Sequence, residues 1–141
     1  MDCILVVNVG SATLKFAIFN ADKKLTKICL GSINYKKHIL LLSDKEKGIR
    51  SLKINRNINL SEPEKLLQFI NTHYPNIAIK TIGHRIVHGG QKFLDPSLIT
   101  KSVVKQLKTL IPLAPLHMPK EIAFIEKTMK TNLAPLVLSG A

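Results

Sequence analysis

Negative charge is scarce in this 141-residue chain: 9 acidic side chains stand against 21 basic ones, a net charge of +12. Aromatic residues are scarce too, at 5%, and only 3 of the 21 cations are arginine. Base-edge readout leans on arginine, and single-strand binding on interleaved aromatic platforms. The lysines are instead scattered (Lys23, Lys24, Lys27, Lys36, Lys37, Lys45, Lys47, Lys53), with no aromatic interleaving. This argues against specific nucleic-acid binding. Two readings of the charge stay open: a phosphorylated ligand, or balancing acids on a missing part of the polypeptide. No apolar run is long enough to span a bilayer. The start, Met1-Asp2-Cys3-Ile4, lacks the basic stretch of a secretory signal, so a cytoplasmic location is expected. There is no C-x-x-C pair and no Cys/His cluster at zinc spacing. Cys3 and Cys29 lie in apolar, strand-like runs and are expected to be buried free thiols, with a disulfide between them left open. Internal repeats, low-complexity segments and linkers are also missing.

What is present is a core: hydrophobic residues make up 45% of the chain, enough for one folded domain. Residues 3–9 form a continuous apolar run, as a buried central strand would. Residues 14–20 return as a second strand, and Leu25–Ile33 reads as a third, giving an antiparallel meander. His38–Leu42 and Arg50–Ile54 are weaker strand candidates around the charged turn Ser43–Gly48. Ser61 can cap a helix running to about His73, with Pro63 in its first turn and Glu64 closing a capping box. Ile77–Val87 predicts a central strand, broken by Gly89-Gly90. A second helix follows Thr100, with Val103, Val104, Leu107, Leu110 and Ile111 at helical spacing, ending at Pro112 and Pro115. A third begins near Pro119 with Ile122, Ile125 and Met129 on one face, and Leu136–Leu138 starts a last strand. Strands first in a meander and then alternating with helices predict a mixed α/β sheet.

Three segments carry candidate chemistry. In Asn8-Val9-Gly10-Ser11-Ala12-Thr13-Leu14-Lys15-Phe16, Gly10 allows close backbone approach to a phosphate. Ser11 and Thr13 offer hydroxyls, Lys15 a positive charge, and Asn8 a side-chain carbonyl toward a hydrated Mg²⁺. An ordinary hairpin with a polar tip fits equally. The segment is neither G-x-x-x-x-G-K-[ST] nor G-x-G-x-x-G. The second segment runs from Gly83 to Phe93. On a strand its His84 and His88 would stand about 13 Å apart, too far to share a metal. Arg85 and Val87 share the opposite face, and a guanidinium beside a small apolar side chain suits a short carboxylate with a methyl tail. A strand-end arginine in a surface ion pair is the plainer alternative. In the third, Leu113–Pro119, two prolines bracket His117. A proline-rich connection between helices with an incidental histidine would look the same.

Taken together, N-V-G-S-A-T-L-K-F (Asn8–Phe16), G-H-R-I-V-H-G-G-Q-K-F (Gly83–Phe93) and L-A-P-L-H-M-P (Leu113–Pro119) resemble the acetate/propionate kinase family in order and spacing. The first motif is shared more loosely with sugar kinases, actin and Hsp70. The resemblance implies a ribonuclease H-like domain of the actin/Hsp70/sugar kinase type, spanning residues 1–141 and incomplete at its C-terminal end, the first of two domains that clamp ATP. It implies the reaction ATP + acetate ⇌ ADP + acetyl phosphate with Mg²⁺, and a homodimer or a complementing C-terminal half as partner. By motif position, Asn8 would be magnesium-associated, and Gly10, Ser11, Thr13 and Lys15 would line the ATP phosphates. Arg85 would bind the acetate carboxylate, Val87 and Leu116 would line the methyl pocket, and His117 would contact the transferred phosphoryl group. The family's essential aspartate, in a strand ending like F-D-T-A-F-H, would fall beyond Ala141, so the chain alone is expected to be inactive, with a non-catalytic remnant or half of a split enzyme as the alternative. Ala12, Gln91 and Met118 depart from the family's usual serine, glutamate and asparagine.

Overall fold

Alternation along the first strands gives the sheet two unlike faces. In a computed structural model, which describes residues 1–86, 97–131 and 134–139, β1 (Asp2–Val9) buries Cys3, Leu5, Val7 and Val9 while Ile4, Val6 and Asn8 stay accessible. β2 (Thr13–Asn20) likewise buries Leu14, Phe16 and Ile18 and exposes Lys15. β3 (Lys27–Asn34), β4 (Ile39–Asp44) and β5 (Gly48–Lys53) continue the antiparallel meander, so it has five strands. The chain then forms α1 (Pro63–His73), β6 (Ala78–Ile86), β7 (Ser97–Leu98) and α2 (Lys101–Lys108). A 3₁₀ turn (Ile111–Leu113), α3 (Met118–Thr128) and β8 (Ala134–Ser139) complete it. The strands lie in the order β5-β4-β3-β2-β1-β6-β8-β7, with β1, β6 and β8 parallel and β7 antiparallel to β8.

α1 and α3 cover the same face. Leu66 and Ile70 of α1 and Phe124 of α3 pack on Leu5, Val7, Ile18 and Leu42 in one core. A second core joins Ile86 to Leu107 of α2 and Met118, Ile122 and Ile125 of α3. The opposite face carries no helix among the described residues. The run at residues 3–9, expected to be buried throughout, is therefore buried on one side only. The open side exposes Leu30 (44%), Leu41 (49%) and Ile49 (79%).

Four local readings change; the second helix, expected to run to Pro112, ends at Lys108 and Ile111–Leu113 forms a 3₁₀ turn instead. The third strand starts at Lys27 rather than Leu25, because Leu25 takes a left-handed φ of 48° in the turn whose N–H bonds the Asp22 carbonyl at 3.2 Å. β4 starts at Ile39 because His38 is also left-handed, with φ 52°. Ser61 does not cap α1: its hydroxyl bonds Asn59 Oδ1, Glu62 occupies the cap position, and no side chain caps the helix. Pro63 in the first turn has no N–H to satisfy, which weakens the demand for a cap. Thr100 does cap α2, accepting from the Val103 N–H at 3.2 Å. Gly89 and Gly90, expected to break β6, lie outside the described residues.

Cys3 and Cys29 are both free and buried. They sit on β1 and β3 with β2 between them. Two strand spacings, with Cys3 level with Asn20 and Cys29 level with Ile18, place them more than about 9–10 Å apart, beyond disulfide reach. Burial pushes the Cys29 thiol up to about 11, so it is a packing residue rather than a nucleophile.

Two expectations follow from this packing. A Cβ on Gly31 would lie 2.1 Å from the ring of Phe16, its cross-strand partner. Gly31→Ala should therefore cost at least about 2 kcal/mol in urea unfolding, with much of the loss recovered in the Gly31→Ala/Phe16→Leu double variant. Simple additivity of the two changes would contradict this. His84 is the other case: it is buried edge-on to Phe124 with ring centroids 5.7 Å apart, and burial pushes it down to about 4 from an ordinary 6.5. The unfolded chain binds the proton more readily, so this contribution is whole above pH 6.5 and is lost as pH falls towards 4. Relative to wild type, His84→Gln should lose about 3 kcal/mol less stability across that interval. Parallel pH profiles for the two proteins would refute the assignment.

Candidate functional site

The hairpin between β1 and β2 closes tightly because Gly10 has no side chain. Its N–H donates to the Thr13 carbonyl at 2.8 Å, and a Cβ there would stand 2.9 Å from that oxygen. Ser11 and Ala12 are exposed at the tip. Their carbonyls are both engaged: Ala12 O accepts from the Tyr35 N–H at 3.2 Å, and Ser11 O from Lys120 Nζ at 3.3 Å. The turn is thus held by the end of β3 on one side and the first turn of α3 on the other.

Below the turn, strand register aligns three of the candidate side chains. Asn8 pairs with Lys15 across β1 and β2. The parallel pairing of Val7 with His84 puts Asn8 level with Arg85 on β6. Lys15, Asn8 and Arg85 are therefore successive in a row across the open face, about 4.8 Å apart per strand. All three line a concave region of about 820 Å³, together with apolar Val6, Ala17, Leu30 and Leu41. Among the described residues its cations are Lys15, Lys27 and Arg85, and no carboxylate lines it. A short anion with a small apolar tail matches that combination of charge and surface.

His117 occupies the cap position of α3, and its side chain does not cap the helix. It lies one turn from Lys120, at the end of α3 that meets the hairpin. Leu116, expected in a methyl pocket, is 79% exposed and lines neither this concave region nor a smaller cavity of about 310 Å³ beside Tyr35, His38 and Arg56. Val87 lies outside the described residues, as do His88 and Gln91. Met118 is fully buried in the core between α2 and α3, where an apolar side chain suits the site. Among the described residues, no cluster of three or more His, Cys, Asp or Glu side chains could hold a metal ion. Also among these residues, no helix is long and apolar enough to cross a membrane. Lys120 was not singled out from the sequence. Its one local signal was its place three residues after His117, in the first turn of a helix.

The model of the Acetokinase family matches residues 3–136. An acetate kinase of Rickettsia typhi is 34% identical over 136 residues, covering 89% of this chain and 33% of that protein. Among solved structures, an acetate kinase from Entamoeba histolytica superimposes with a TM-score of 0.73 at 31% identity, covering 97% of this chain and 34% of that one. A propionate kinase from Francisella tularensis gives 0.76 at 30% identity, covering 99% and 37%. The chain thus spans about a third of the length of the relatives it matches. The mixed sheet, the hairpin and the family match agree, and the chain belongs to the Acetokinase family.

Proposed function

We propose that residues 1–141 form the N-terminal, ribonuclease H-like domain of an acetate kinase and supply the phosphate- and carboxylate-binding half of its cleft. The observation that carries this reading is the row Lys15–Asn8–Arg85 directly beneath the Gly10–Thr13 turn. In this reading the Ser11 and Thr13 hydroxyls and the turn amides hold the ATP phosphates, and Lys15 offsets their charge. Arg85 grips the acetate carboxylate through paired N–H donors. A carboxylate oxygen attacks the γ-phosphorus. The new O–P bond forms as the bond to the β–γ bridging oxygen breaks, and ADP leaves. His117 stands near the transferred group. In this reading Val87, two positions from Arg85 in the sequence, flanks the methyl group, and Leu116 lies apart from the concave region.

Mg²⁺ arriving with the nucleotide would supply charge neutralisation during transfer. The side chains present fit an ion that arrives with the nucleotide. Asn8 would offer it one neutral oxygen, and among the described residues no carboxylate lines the site to bind it directly. The proposed substrates are ATP and acetate, and the proposed compartment is the cytoplasm, in keeping with two free thiols.

The exposed aliphatic side chains of Leu30, Leu41 and Ile49 support a domain that works against further polypeptide, because a contiguous apolar patch marks a surface to be covered. Phosphoryl transfer depends on groups positioned around the whole transition state, with water excluded. A complementing half or a dimer partner would supply the remainder.

The test is a chimera in which these 141 residues replace the matching third of the Rickettsia typhi enzyme, assayed for acetyl phosphate as its hydroxamate. The chimera should turn over while the 141-residue chain alone should not. Arg85→Ala in the chimera should lower kcat/KM for acetate by about 100-fold, as expected for a lost charged, paired hydrogen bond. An Arg85→Ala chimera as active as its parent, or full activity in the isolated chain, would refute the reading.

A further inference from the structure

The contact between Lys120 and Ser11 joins residues 109 positions apart in the sequence. It is the one side-chain hydrogen bond among the described residues that reaches the hairpin tip. Its acceptor is a backbone carbonyl, and that fixes an orientation. A trans peptide unit is planar, with its C=O and N–H pointing in opposite directions. Drawing the Ser11 carbonyl towards α3 therefore turns the Ala12 N–H away from α3. α3 packs on the covered face of the sheet, against β1 and β6. The opposite direction is the open face, where Lys15, Asn8 and Arg85 stand. Ala12 has no side-chain donor, so its N–H is the only hydrogen-bond donor that residue can offer a ligand.

We propose that Lys120 is a positioning residue of the phosphate turn, holding the Ser11–Ala12 peptide so that the Ala12 N–H faces the anion on the Lys15 side. The inference rests on the reading of Gly10–Thr13 as a phosphate turn and adds to it the side chain that sets the turn's orientation. The Ala12 carbonyl is held in the same way by the Tyr35 N–H, so adjoining peptide units are fixed from opposite flanks. The anion this arrangement takes is the phosphate chain of a nucleotide, gripped by backbone amides with Lys15 alongside.

Lys120 is exposed, so its replacement should leave the fold intact. The probe is inorganic tripolyphosphate, titrated into the ¹⁵N-labelled 141-residue chain, with affinity and the Ala12 amide shift read together. Lys120→Met should weaken binding about fivefold, the size of one hydrogen bond lost, and shrink the Ala12 response, with the melting temperature held within about 2 °C. Lys120→Arg should restore both. Lys65→Met, which removes the same charge from α1, should bind as wild type does. Unchanged affinity and Ala12 response in Lys120→Met would overturn the proposal. Equal weakening by Lys65→Met would overturn it too, showing only bulk charge. If the wild-type turn amides do not respond at all, the phosphate reading of the turn itself falls, and this inference with it.

Discussion

The parallel pairing of β1 with β6 is the constraint on which the candidate site depends. It sets Val7 beside His84, and so Asn8 beside Arg85. The antiparallel pairing of β1 with β2 sets Asn8 beside Lys15. A slip of one residue in either pairing would turn Arg85 or Lys15 to the helix-covered face. There it would be a buried, unpaired cation, which costs several kcal/mol. The buried residues that alternate with these side chains make such a slip prohibitive: Val7, Val9, Leu14, Phe16, Ile82 and Ile86 all face the core. Packing on one side of the sheet therefore fixes the chemistry on the other.

The open face joins two properties that seldom occur together on a free surface. It exposes large aliphatic side chains at Leu30, Leu41 and Ile49, and it carries cations with no lining carboxylate among the described residues. Apolar exposure of this kind marks a surface made to be covered. Uncompensated positive charge marks one made to meet an anion. The hairpin tip lies beyond the Asn8–Lys15 end of this region, whose lining does not include Gly10–Thr13. Its carbonyls are tied back to β3 and α3, which leaves its exposed side for a ligand.

Much of this was legible in the sequence, and the exceptions have identifiable causes. Gly10 announced a tight turn because few residues can bring a backbone so close to a facing carbonyl. Strand alternation placed Arg85 opposite His84, and the structure buries the histidine and exposes the arginine. The run Cys3–Val9 misled because unbroken apolar character looks the same whether one face or both are covered. Apolar pattern also drew Leu25 into β3, although its backbone is left-handed. The capping signal at Ser61 was overridden by Asn59, which took its hydroxyl. Lys120 could not be found by local reading, because its partner is defined only once α3 has docked against the sheet.

The central claim is that the Gly10–Thr13 turn, Lys15 and Arg85 form one ligand site. The most direct measurement is backbone amide chemical-shift mapping of the labelled chain, titrated with pyrophosphate and then with acetate. The account predicts that pyrophosphate shifts residues 10–15 and that acetate shifts residues 83–86. It further predicts that each ligand alters the other's apparent affinity, because both sit in the same row across three strands. Independent titrations that never influence each other, or responses scattered over the scattered lysines of the meander, would contradict it.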